Sequence, residues 1–401
     1  MARDRSGHAS NGLPPNLSAK HDLPNRYGFP FLRTIEANLC VYRSHPGKMN
    51  PHFALQQAGI GTLAFVLSCL GVAALRRWAE RRNILDFPNE RSSHTLPTPR
   101  GGGIAIVFFS VIGLLTTWFI KPAWPARPFL LYLFGSVLIA VVSWLDDLRP
   151  LPNRFRFAAH SAGAVLAILG FGYWQHLEIP LVGSLHLGLF GLLVTFLWLA
   201  GLTNAYNFMD GIDGIAGGQA VVAGLGWALL GNLTDQHWVA LLGLLTAATS
   251  FGFLCHNWPP ARIFMGDVGS AFLGYTFAVL PVIASQKDFR FILIGVLLVW
   301  PFVFDTTFTF FRRLRKGEDV FAAHRSHLYQ RLVIAGFGHR FVTVIYIGLA
   351  FAGLLLALSW YLGIRGASSA LSVSLPLLCF GLWLFVTWQE RRNMINPEAG
   401  H

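Results

Sequence analysis

Residues 204–218, NAYNFMDGIDGIAGG, follow the uncharged run LFGLLVTFLWLAGL at 189–202, which is long enough to enter a bilayer. Two amides, two carboxylates and four glycines thus open at the end of an apolar segment. Such groups are costly in hydrocarbon unless they are satisfied internally or face a polar site. Asn204, Asn207, Asp210 and Asp213 recur every three positions, a step that on an α-helix spreads them around half the circumference. Gly211 and Gly214 ease departure from helical geometry. The helix is therefore expected to end near Asn207, with Asp210 and Asp213 in a tight turn facing a polar centre. A plain solvated turn with capping aspartates leaves Asn204 and Asn207 without a reason.

The surrounding composition says which solvent the chain meets. With 54% apolar residues and a mean hydropathy of +0.50 over 401 residues, it is too apolar for a soluble domain of this size. Runs of the length that crosses a hydrocarbon core fall near 57–75, 103–120, 129–145, 157–173, 185–203, 214–230, 238–255, 268–285, 289–310, 341–362 and 369–388. The expected fold is all-α, a polytopic membrane protein of about eleven spans with one domain over 57–390. Residues 1–56 read as a disordered N-terminal tail with Met49 a candidate natural start, and 391–401 as a cytoplasmic tail. Cys40, Cys69, Cys255 and Cys379 are scattered without metal-type spacing and read as small core residues.

The formal charge of +12 does not imply nucleic acid, because its distribution follows orientation. Past residue 48, nineteen Lys and Arg fall on one side of the expected topology and five on the other. The richer side is the expected cytoplasmic face, and most acids lie there as well. Asp146 and Asp147 follow the third span, Asp267 the seventh, and Asp305 lies inside the ninth. Distant loops thus bring carboxylates to one membrane face.

In SWLDDLRPLPNRFR (143–156) two adjacent carboxylates repel unless a cation or proton intervenes, and hard oxygen ligands suit Mg²⁺ or Mn²⁺. In RIFMGDVGSAFLGY (262–275) Asp267 stands between Gly266 and Gly269 at a helix start, either as a simple N-cap or beside a bound anion. Loop nine, RRLRKGEDVFAAHRSHLYQRLVIAGFGHR (312–340), lacks a zinc pattern, so His324, Arg325 and His327 read as anion clamps and the loop as the candidate sugar-reading surface. Loop one, LDFPNERSSHTLPTPRGGG (85–103), offers Arg91, His94 and Arg100 to phosphate oxygens, with glycines that permit close backbone approach.

With LDFPNERSSH, PTPRGGG, LDD, NAYNFMDGIDG, FMGDVGS and HRSHLYQRL in this order, the chain resembles the polyprenyl-phosphate N-acetylhexosamine-1-phosphate transferases. It looks most like the bacterial initiators of O-antigen or exopolysaccharide synthesis. The resemblance spans roughly residues 57–390. It implies a UDP-N-acetylhexosamine donor, a polyprenyl (undecaprenyl) phosphate acceptor, Mg²⁺ (or Mn²⁺) and a cytoplasmic-face site in a bacterial inner membrane, with a homodimer left open. It further implies Asp267 and Asn207 as metal ligands. Asp146, Asp147, Asp210 and Asp267 would be catalytic, and Asn204, Asn207, Asp213, Arg91, His94, Arg100, His324, Arg325 and His327 would contact substrate. Two departures, Arg149 after the aspartate pair and a histidine cluster reduced to HRSH, argue against a sugar-peptide substrate. A lipid-linked sugar transporter and, with FMGD lacking its first glycine, an intramembrane aspartyl protease are the rivals.

Overall fold

A computed structural model of the chain describes residues 51–87, 97–120, 125–319 and 324–395. Met49, Arg91 and His94 lie outside the described residues. A helix stands at each of the eleven apolar runs. The first part comprises α1 (Pro51–Arg82), the two-residue strands β1 (Leu85–Asp86) and β2 (Thr98–Pro99), α2 (Gly103–Ile120), α3 (Ala126–Leu148) and α4 (Asn153–Phe171). After β3 (His176–Ile179) and β4 (Gly183–His186) come α5 (Phe190–Phe208), α6 (Ile215–Leu233), α7 (His237–Asn257) and α8 (Asp267–Ala284). The chain continues with α9 (Arg290–Leu298), α10 (Trp300–Arg315), the short α11 (Leu328–Ile334), α12 (His339–Tyr361) and α13 (Ala367–Ile395).

Among the described residues eight helices are long and apolar enough to cross a membrane, or nine if α9 and α10 count as one bent span. The expected eleven is not reached by this measure. Helix α4 opens with Arg154 and Arg156, and α5 closes with Asn204 and Asn207, so neither qualifies. The fold class is the expected one, a polytopic all-α membrane protein, with two small antiparallel hairpins added.

Three boundaries differ from the sequence reading. The fifth span begins at Phe190, because Gly183–His186 pairs with His176–Ile179. The ninth is broken by 80° at Val299. Pro301 has no N–H for the carbonyl four residues back, so a continuous ladder cannot pass it. The Leu298 carbonyl at the break instead accepts from Gln219 Nε2 at 2.7 Å, satisfying a backbone group that lipid could not. Finally, residues 57 and 390 fall inside helices, since α1 starts at Pro51 and α13 runs to Ile395.

The centre of the bundle is α8, 89% buried over its apolar window, against 22% for α1 and 17% for α13. Around it α6 and α7 are mostly buried and rich in small residues. A Cβ at Gly224 would lie 2.8 Å from both the Gly243 carbonyl and the Ala247 nitrogen. These helices therefore touch backbone to backbone, the packing that substitutes for hydrophobic drive in lipid. With α8 fixed at the centre, the residue at its head becomes the fixed point of the site.

Candidate active site

The head of α8 is capped from another helix. The end of α3 carries SWLDDL, and Asp147 Oδ1 accepts the Asp267 N–H at 3.0 Å while Oδ2 accepts the Val268 N–H at 3.1 Å. Two N–H groups that a helix start leaves without partners are thereby satisfied. Gly266 makes room: at φ 79° its added Cβ would meet Asp147 Oδ2 at 2.6 Å. Asp267 is therefore not a cap. Its carboxylate is released to face the site.

There it meets two arginines. Arg100 Nη2 donates to Asp267 Oδ1 at 3.0 Å and lies 2.9 Å from Asp147 Oδ1. Arg156 Nη1 donates to Asp267 Oδ2 and Asp146 Oδ2, both at 3.0 Å. Asp146 Oδ1 also accepts the Leu151 N–H at 2.6 Å. The adjacent carboxylates thus avoid mutual repulsion by facing different guanidinium groups. The turn RPLPNRFR brings Arg156 back over the end of α3, and this residue carried no assigned role in the sequence reading. Burial opposes the Arg100 charge, but Asp147 and Asp267 hold it more firmly protonated than an ordinary arginine.

Arg100 is delivered by the glycine run, which does a different job from the one expected. Gly101 and Gly102 N–H groups donate to the Phe264 carbonyl, and Gly103 N–H donates to the Met265 carbonyl. A Cβ on Gly103 would collide with the Gly269 backbone. The glycines lay loop one along the segment before α8, and these three N–H groups are consumed rather than offered to phosphate.

The NAYNFMDGIDG segment adds the uncompensated charge. Helix α5 ends at Phe208, one residue past the expected Asn207, and Asn204 and Asn207 lie part-exposed on its last turns. Among the described residues no hydrogen bond reaches the Asp210 carboxylate. Burial first, then repulsion from Asp267, raises its carboxyl well above the ordinary range, with Arg100 opposing. Asp213 is different. Its Oδ2 accepts the Ala261 N–H at 3.0 Å, its Oδ1 lies 3.3 Å from His339 Nδ1, and its carbonyl accepts from Thr343. It braces the 258–262 segment against α12.

Histidines enter through a second buried acid, Asp305 of α10, which accepts the backbone N–H groups of Leu328 and Tyr329 at 2.8 and 3.1 Å. Tyr329 in turn donates its hydroxyl to the Phe208 carbonyl at 3.0 Å. The HRSH segment is thereby joined to the NFMDG turn. A groove of about 330 Å³ runs between α5 and α10. Leu197, Trp198, Phe208 and Phe310 form its apolar walls, and Asn204, Arg313, His324 and His327 line it as well. Burial, with His327 and the Arg313 and Arg312 charges, lowers His324 to about 4, so it is neutral at pH 7. Arg325 is part-exposed nearby in sequence, outside the groove lining.

Among the described residues no three His, Cys, Asp or Glu side chains form a ready metal group. The donor chemistry still suits a hard cation: Asp267 and Asp210, the latter without a hydrogen bond among the described residues, are carboxylates, and Asn207 adds an amide oxygen. Excess negative charge at Asp210 is what a divalent ion would neutralise. Tyr329 and Arg156 received no role from the sequence, and Asp305 was noted there without a partner. An acid inside a span was the available signal for Asp305.

Comparison with known proteins accords with this architecture. The family model described as glycosyl transferase family 4 matches residues 129–285, from α3 to the end of α8. A probable undecaprenyl-phosphate N-acetylglucosaminyl 1-phosphate transferase of Bacillus subtilis is 32% identical over 293 residues, covering 71% of this chain and 81% of that protein. The decaprenyl-phosphate N-acetylglucosaminephosphotransferase of Mycobacterium tuberculosis is 30% identical over 319 residues, covering 71% and 78%. A phospho-N-acetylmuramoyl-pentapeptide-transferase of Lactiplantibacillus plantarum is 30% identical over 215 residues, covering 50% and 66%. The chain belongs to this family of polyprenyl-phosphate sugar-1-phosphate transferases. Membership sets aside the transporter and protease readings.

Proposed function

We propose that the protein transfers an N-acetylhexosamine-1-phosphate, or a deoxy derivative, from a UDP-sugar to polyprenyl phosphate and releases UMP. In a bacterium the acceptor would be undecaprenyl phosphate, the site would face the cytoplasm from the inner membrane, and the product would initiate O-antigen or another surface polysaccharide. One observation carries this reading: an acid and arginine cluster is built around Asp267, and the Phe208 carbonyl of the NFMDG turn is bonded by Tyr329 of the segment whose histidines line an apolar groove between α5 and α10. The groove suits a polyprenyl chain and the cluster suits phosphates. The names of the relatives from Bacillus subtilis and Mycobacterium tuberculosis support N-acetylglucosamine as the first sugar to try.

In this mechanism a terminal oxygen of the lipid phosphate attacks the β-phosphorus of the UDP-sugar. The new bond is phosphoanhydride, and the broken one is the bond from that phosphorus to the oxygen bridging to the α-phosphate, which leaves with UMP. A phosphate monoester has its second pKa near 6, so the nucleophile is largely ionised at neutral pH. Charge neutralisation is then the main demand. Arg100 and Arg156 meet part of it. Bound Mg²⁺ or Mn²⁺, held by Asp267 and Asn207 with Asp210 beside them, would neutralise further diphosphate charge. Both Asp147 oxygens are engaged, which makes it a positioning residue for Asp267.

The test is to incubate membranes containing the protein with polyprenyl phosphate and a panel of UDP-sugars, then analyse lipid and nucleotide products. A lipid-diphosphate-sugar with equimolar UMP is expected. UDP as the soluble product would identify attack at the anomeric carbon and overturn the reading.

A further inference from the structure

Asp305 is the acid that the reaction does not use directly. It sits in α10, half of the bent membrane pair, with its side chain fully buried. An ionisable group at such a place is costly unless it is paired or has a function. Here five donors converge on it: the Leu328 and Tyr329 N–H groups, the Tyr346 hydroxyl at 2.6 Å, the Thr309 hydroxyl at 3.2 Å and His327 Nδ1 at 3.2 Å. The backbone N–H groups can only donate, and the two oxygens are filled with donors. The group is therefore an accepting carboxylate, and His327 Nδ1 must carry the hydrogen.

That fixes the other nitrogen. With Nδ1–H turned into α10, His327 Nε2 is the lone-pair nitrogen, on a ring that lines the groove. His324 has the opposite arrangement. Its Nδ1 accepts the Ser326 N–H at 3.3 Å, so in its neutral form the hydrogen resides on Nε2. The two rings lie 4.9 Å apart, one offering a lone pair and the other an N–H. A phosphate monoester holding one proton needs this complementary pair: an acceptor for its P–OH and a donor for its P–O⁻.

We infer that Asp305 is a positioning residue that sets the His327 tautomer, so that His327 Nε2 accepts the P–OH of the lipid phosphate while His324 Nε2–H donates to an adjacent oxygen. The proton passes from the phosphate oxygen to His327 Nε2, giving a dianionic nucleophile and an imidazolium next to the Asp305 carboxylate. The geometry is that of an acid orienting a histidine in hydrolytic triads. Asp305 bonds this ring and His324 and Tyr329 lie against it, while Arg313 lines the same groove, Arg312 donates to the Ser326 carbonyl and Tyr346 shares the Asp305 carboxylate. The inference rests on the proposed acceptor occupying the groove.

The test uses the full chain in detergent with polyprenyl phosphate and the active UDP-sugar. Asp305→Asn should lower kcat/KM for the acceptor on the order of 10²-fold, with the donor KM nearly unchanged. In a His327→Ala background the same substitution should add less than about twofold, because the residue it orients is gone. Full additivity, or a loss confined to the donor KM, would overturn the inference. Should Asp305→Asn not fold, ¹⁵N-histidine spectra of the wild-type chain decide it: the resonance absent from His327→Ala must report Nδ1–H, and an Nε2–H tautomer refutes the proposal. Wild-type inactivity towards every UDP-sugar would instead refute the proposed function and leave the tautomer result standing.

Discussion

The lone buried acid Asp305 and the four acids gathered around Asp267 are satisfied in different ways. Around Asp305 five donors fill two oxygens, and no lone pair is left without a partner. Around Asp267 four carboxylates gather while two arginines pair with three of them, and among the described residues Asp210 has no hydrogen bond or ion pair, with Arg100 acting on it only at longer range. A saturated carboxylate costs little and holds its neighbours in place. An unsaturated one stores repulsion that only a cation or a proton can relieve. The contrast separates a group that positions from a site that binds.

The sharpest way to break this contrast is to treat the two kinds of acid alike. Asp267→Asn removes a charge that both arginines and the proposed metal need, and activity should fall on the order of 10²-fold or more while the protein still folds. Retention of most turnover would leave Asp267 a merely structural end to α8. Chelation by EDTA should abolish turnover and Mg²⁺ or Mn²⁺ should restore it. Asp210→Asn sharpens the comparison from the other side. The raised carboxyl means that the folded state holds a proton more tightly than the unfolded chain, so ionisation of Asp210 works against stability as pH rises past the ordinary carboxylate range. The amide should therefore raise thermal stability at pH 7 and lower activity together. A destabilised variant would contradict the uncompensated charge.

Smaller effects test the scaffold. Gly103→Ala forces a methyl into the Gly269 backbone and should destabilise by about 1–3 kcal/mol, read from chemical or thermal unfolding in detergent. His324 supplies the smallest effect. Its folded pKa of about 4 lies below the ordinary value of 6.5, so the unfolded chain binds more protons between the two. Its contribution to stability is present above 6.5 and is lost as pH falls towards 4. His324→Gln should flatten that part of the stability profile.

Much of this was legible in the sequence because apolar length and polar interruption are local signals. NAYNFMDGIDG announced the end of α5 to within a residue, since amides and glycines cannot extend a lipid-facing helix. The joining of Asp146, Asp147 and Asp267 was foreshadowed by their common membrane face. Partner assignments were not legible, because they depend on which loop lies over which. PTPRGGG looked like a phosphate cradle until its N–H groups were seen to be spent on Phe264 and Met265. Pro301 marks the break in the ninth span, but the run of apolar residues on both sides concealed it. Arg156 was hidden for a similar reason: its place over Asp146 comes from the turn through Pro150 and Pro152, and its charge alone reads as an anchor. Asp305 was visible as an anomaly without a partner, and its partners other than Thr309 lie 22–41 residues further along the chain.

The central claim is attack at phosphorus by a lipid phosphate, and one exchange measurement addresses it. The bond broken and the bond formed are both phosphoanhydrides, so the reaction should lie near equilibrium and run backwards with added UMP. Labelled UMP should appear in the UDP-sugar pool when the protein, UDP-N-acetylhexosamine and polyprenyl phosphate are all present, and should not appear when the lipid is omitted. Exchange that proceeds without the lipid, or no exchange with any UDP-N-acetylhexosamine in its presence, would contradict the account.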